Sequence, residues 1–176
     1  MRLLVFAVVL SFVASVALAQ SPYVGMQTRS IKALSDQQIA DLKAGRGMGL
    51  ALPAELNGYP GPAHVLELSN QLGLSVEQKA RIQRLFDSMK AKAVPLGERL
   101  LKQEAALDQQ FANHLVTPER LKVATAAIGV TQGKLLETHL KYHLQTAQIL
   151  SAEQMQHYST LRGYASEPLP QHHHMQ

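Results

Sequence analysis

His139 and His143, in the run His139-Leu140-Lys141-Tyr142-His143, are the residues whose type and spacing could best do chemistry. On a helix, a spacing of four sets both imidazoles on one face, about 40° apart. Such a pair can ligate a first-row transition ion (Zn, Ni, Co or Cu) once another helix supplies a third donor. His64 and Glu67 are the candidates for that donor. The same spacing also suits two polar residues satisfied by hydrogen bonds inside a bundle. A metalloprotease needs Glu directly after the first His, and here Leu140 and Lys141 follow it, so no general base is present. No Ser-His-Asp arrangement and no paired carboxylates stand out, and we read the chain as no enzyme, with no catalytic residue. The run His172-His173-His174 near the end is a weak metal-binding tract or incidental.

A second group of residues could do electrostatic work. Lys79, Arg81, Arg84, Lys90 and Lys92 fall within fourteen positions, against Asp87 among them and Glu77 just ahead. Such a run is either a solvated helix face or a surface that attracts acidic segments of a client protein. Formal net charge is +4 over the whole chain. That is too weak a bias to imply nucleic acid.

The elements that would position these residues announce themselves by a repeat. Leu34-Ser35-Asp36-Gln37-Gln38, Leu74-Ser75-Val76-Glu77-Gln78 and Leu150-Ser151-Ala152-Glu153-Gln154 all read Leu-Ser-x-x-Gln. Each predicts a helix start, with Ser accepting from the N3 amide and Gln reaching back to the N-cap amide. In the first and third copies, Ile39 and Met155 can complete a hydrophobic staple with the Leu; Lys79 cannot in the second.

Helices are expected over 36–44, 62–72, 76–111 and 118–149, with a last one opened by the third repeat and stopped at Gly163. Ile82, Met89 and Leu96 recur at seven, as do Phe86, Ala93, Leu100 and Leu107. Leu121, Ile128, Leu135, Tyr142 and Ile149 do the same on the following helix, which makes the two an antiparallel pair. Pro95 lies inside the first of them, and the unbroken phase of the seam favours a bend over a break. Thr117-Pro118-Glu119 supplies N-cap, N1 and a dipole-compatible acid. Gly129 and Gly133 weaken helix propensity and would permit close approach of a neighbour. The stretch 45–62 is rich in glycine and proline and marks turns. Its Gly45-Arg46-Gly47-Met48-Gly49 lacks the spacing and the preceding strand of a nucleotide loop.

Residues 1–19 read as a secretory leader: Arg2, an apolar run, and Ala17-Leu18-Ala19 as the cleavage signal. The expected mature chain begins at Gln20 and is periplasmic. Losing Arg2 lowers its net charge by one. It has no Cys, which excludes disulfides, thiolate catalysis and Cys-type zinc sites. The expected organisation is then 20–61 as an N-terminal segment with one short helix, 62–164 as a helical hairpin domain, and 165–176 as a disordered tail. The fold class is all-α, a small bundle built on a long antiparallel hairpin.

With Leu-Ser-x-x-Gln opening both the hairpin and the terminal helix, the chain resembles the Spy/CpxP family of periplasmic proteins. That family is marked by Leu-Thr-x-x-Gln, and Ser75 and Ser151 stand here in place of Thr. The likeness spans about 62–164, and the 45–62 segment has no counterpart in it. It implies a helical cradle, a homodimer of hairpins, that holds unfolded clients without ATP or serves the envelope stress response. Lys79, Arg81, Arg84, Lys90 and Lys92 would then attract acidic clients. Relatives in the same superfamily sense zinc, nickel or cobalt through helix-borne histidines, and this implies the alternative of a heavy-metal sensor or resistance protein reporting to a membrane-bound partner. His139 and His143 resemble those ligands in kind, and sit about one turn further from the terminal motif than the pattern expects.

Overall fold

The computed structural model describes residues 22–164. The expected leader at 1–19 and the tail from 165 on, with His172, His173 and His174, lie outside these residues. Among the described residues there are six α-helices and no strand: α1 (Asp36–Ala44), α2 (Leu52–Glu55), α3 (Pro62–Glu67), α4 (Val76–Ala112), α5 (Pro118–Ala147) and α6 (Ala152–Leu161). None of them is long and apolar enough to cross a membrane. The protein is an all-α bundle around one long helical pair.

All three Leu-Ser-x-x-Gln copies form complete capping boxes. Ser35, Ser75 and Ser151 each accept from the amide of the Gln three residues on, and each Gln carboxamide accepts from the Ser amide. Two orphan donors are satisfied at each of these helix starts. Thr117 caps α5 in the simpler way, accepting from the Arg120 amide at 3.3 Å.

α4 runs 37 residues without interruption, and Pro95 is accommodated inside it. α4 and α5 are antiparallel: Gln78 reaches the Ile149 carbonyl, and Ser88 reaches Tyr142. The heptad positions Ile82, Met89, Ala93, Leu100, Ile128, Leu135 and Tyr142 are buried as the periodicity requires. The seam frays at its far end, where Leu121 is exposed. Burying each large side chain of this seam contributes about 1.5–3 kcal/mol.

Two clusters fill the interior. One gathers Leu42 of α1 with Ala93, Leu100, Leu101, Ile128 and Leu135. The other joins Val65, Leu72, Ile82, Leu150 and Tyr158, so that α3 and α6 close the end of the pair where both long helices meet the repeats. α1 lies against α4 and α2 against α5, and the segment ahead of Pro62 therefore covers one face of the pair. Gly97 is what lets α1 come so near: a Cβ there would collide with the backbone carbonyl of Leu42.

Three details differ from the periodic reading. α3 stops at Glu67, because Leu68 leaves the helix and Gly73, at φ 59°, closes the following turn. α2 is an extra single turn, nucleated by Pro53 in its first positions. Gly129 and Gly133 face open space in the chain and bring no neighbour close.

Candidate functional site

The turn-rich stretch between α1 and α3 lies over His139 and His143, and its glycines are the reason it fits. His139 is 2% exposed and His143 6%. A Cβ on Gly47 would sit 3.1 Å from His139 Nδ1, and one on Gly61 only 2.7 Å from His143 Cε1. The two imidazoles thus press on backbone that no side chain could occupy. His143 Nδ1 lies 2.7 Å from the Tyr59 carbonyl oxygen. A carbonyl only accepts, so Nδ1 carries the proton and donates.

Glu55, the last residue of α2, is the hub beneath this stretch and is 6% exposed. The hydroxyl of Tyr158 donates to its Oε1, and that of Tyr164 does so at 3.3 Å. The Gly61 amide donates to Oε2 at 3.3 Å. His64 Nδ1 is 3.4 Å away, Arg162 Nε 3.6 Å and His143 Nδ1 3.7 Å. Burial alone would raise the Glu55 carboxyl; hydrogen bonds from His64 and Tyr158, with the charges of His64 and His143, outweigh it and hold the group at about 2. Burial, and then the bond to Glu55, push the Tyr158 phenol up. Burial, and then the neighbouring His143, lower the pKa of His139 and keep it neutral.

A cleft of about 560 Å³ opens here, lined by Glu55, His64, Glu67, His139, His143, Lys90 and Arg162, with Met48, Phe86 and Met89. The candidates His64, His139, His143 and Glu67 are therefore brought to one place. His64 and His143 turn their Nδ1 atoms to the same carboxylate, and His139 Nε2 is buried with no hydrogen-bond partner. Among the described residues no group of three or more His, Cys, Asp or Glu is arranged to hold a metal ion. Glu55, Tyr158, Arg162 and Tyr164 were not legible as a site, because neither period nor motif links residues a hundred positions apart. The one available signal was a single acid followed by Asn-Gly and Pro-Gly turns.

Lys79, Arg81, Arg84, Lys90 and Lys92, in the first half of α4, are all exposed, and they divide. Lys90 opens on the histidine cleft. Arg81 and Arg84 line a hollow of about 310 Å³ with Leu85, Gln145 and Ile149. Lys92 lines another, of about 550 Å³, with Leu96, Arg99, Lys134, Lys141 and Tyr142. Lys79 lines none of these. Ser88, whose hydroxyl lies 2.7 Å from that of Tyr142, falls on α4 between the residues of the two hollows. The two hollows follow one face of the α4–α5 pair, hereafter the groove, with Leu85, Leu96 and Tyr142 among their lining residues. Its cations Arg81, Arg84, Lys92, Arg99, Lys134 and Lys141 are in no ion pair among the described residues.

No family model, no curated protein and no solved structure matches this chain.

Proposed function

We propose that the protein is an exported, periplasmic holding protein of the Spy/CpxP type, which keeps acidic segments of unfolded clients in solution without ATP. The observation that carries this reading is the α4–α5 groove. Six cations that are in no ion pair border it, Lys92 lying over the Tyr142 ring, and Leu85, Leu96 and Tyr142 are among its lining residues. Cations of this kind raise the capture rate of acidic chains, and the apolar lining residues retain side chains by area burial. α1 to α3 pack on the other side of the pair, and this face stays open to a client. Self-association into a dimer would double the surface offered, and a membrane-bound partner would couple it to a stress response.

The test is suppression of client aggregation at low and high salt. Arg81→Gln, Arg84→Gln and Lys92→Gln combined should slow capture of an acidic client at low salt and flatten the salt dependence. Lys90→Gln, on the cleft side, should behave as wild type. Equal suppression by wild type and triple variant at low salt would reduce the groove to a solvated face.

A further inference from the structure

The cations of the groove stand in a row. Ser88 on α4 bonds Tyr142 on α5, and this contact sets the register of the antiparallel pair. Lys141, Lys92, Lys134 and Arg99 then follow one another along the axis, alternating between the two helices at steps of about 5 Å. These four line one hollow, of about 550 Å³, and Glu137 is the one acid that lines it with them. Arg84 and Arg81 extend the row beyond Ser88, so that it runs about 27 Å from Arg81 to Arg99. A row of like charges at this spacing repels itself, and a bound anion relieves the repulsion.

A phenol in the wall of the hollow responds to this field. The Lys92 Nζ lies 5.4 Å from the centre of the Tyr142 ring. Burial alone would raise the pKa of Tyr142; the Ser88 hydroxyl, then Lys92 and Lys141, outweigh it and lower the pKa. Negative charge on oxygen is therefore favoured here before any ligand enters.

We propose that the row is a binding site for a linear polyphosphate chain, held lengthwise between α4 and α5. A phosphate chain carries a charge at every link, and its oxygens accept from lysine and arginine alike. An extended peptide turns one face outward only at every second residue, roughly 7 Å apart, so even an unbroken alternation of acids would leave cations unmatched. Single-stranded nucleic acid also carries phosphates, but its bases need aromatic platforms. Tyr142, 3% exposed, is the only aromatic residue among the described residues lining the two hollows. The site uses the groove of the preceding reading and stands whether or not a client is held there. Where one is, polyphosphate competes for the same cations.

The experiment uses the full chain with no client present, so its outcome is separate from that of the aggregation assay. End-labelled inorganic polyphosphate is titrated and read by fluorescence anisotropy at several salt concentrations. Wild type should bind at low salt, with log affinity falling linearly against log salt. Lys134→Gln with Lys141→Gln changes exposed side chains only, so circular dichroism should be unchanged. That variant should bind roughly tenfold more weakly or worse, with the salt slope smaller by about two. Lys90→Gln, on the cleft side, should match wild type. Orthophosphate at the same total phosphate should not displace the label, because it does not span the row. Absence of binding at low salt would overturn the site, and so would undiminished binding by the double variant. Displacement by poly-L-glutamate or oligothymidylate as readily as by unlabelled polyphosphate, at equal charge, would overturn it too and leave an unselective basic face.

Discussion

The carboxamides of Gln78 and Gln154 exchange hydrogen bonds: Gln78 Nε2 donates to Gln154 Oε1 at 2.9 Å, and Gln154 Nε2 donates to Gln78 Oε1 at 3.1 Å. Each amide group is also the reach-back half of its own capping box. Gln78 further donates to the Ile149 carbonyl and Gln154 to that of Leu72. Two copies of one short motif thus cap two helices and clasp each other across the bundle end. Replacing either Gln with Ala should cost about 1–3 kcal/mol, because its own Ser amide and its carbonyl acceptor lose their partner and the other Gln loses its bonds across the bundle end. Replacing both should cost less than the sum. Urea unfolding of the two single variants and the double variant measures the coupling; strict additivity would make the clasp incidental.

Two glycine substitutions should have opposite signs. Gly97→Ala drives a methyl into the Leu42 carbonyl and should destabilise by about 1–3 kcal/mol, with α1 displaced. Gly129→Ala meets nothing within 4 Å on a helix and should stabilise by about 0.5–1 kcal/mol. Thermal melting of each variant decides both signs.

Acid should unfold the protein in a sequence set by Glu55 and His139. Neutral His139 has a folded pKa below 6.5, so its contribution is lost as pH falls through 6.5 toward that lower value. The Glu55 carboxyl sits at about 2 against an ordinary 4.5, and its contribution is full above 4.5 and disappears between there and 2. That second step amounts to at most about 3 kcal/mol. Glu55→Gln should remove it. Stability of that variant measured between pH 5 and pH 2.5 should be flatter than wild type; a parallel decline would assign the acid step to other carboxylates.

The long pair was legible because two seven-residue seams and three capping boxes are local patterns, each stating its own geometry. Pro95 misled nothing, since the seam keeps its phase across it. The cleft was only half legible. Spacing put His139 and His143 on one buried face, but their partners are backbone atoms of Gly47, Tyr59 and Gly61, which carry no residue signature at a distance. Glu55 was invisible for the same reason: Tyr158 of α6 and Arg162 just after it reach it from a hundred positions later in the chain. The cations of α4 show the limit of reading charge along a line. Lys90 and Lys92 are neighbours in sequence, yet one opens on the cleft and the other on the groove.

The most direct measurement asks where a client sits. A photo-crosslinking side chain placed at Glu137, in the groove, is compared with one at Glu67, on the cleft. Each variant is mixed with an unfolded acidic client and illuminated. The account predicts strong capture from position 137, falling with salt, and little from position 67. Capture from position 67 alone, or equal and salt-independent capture from both, would contradict it.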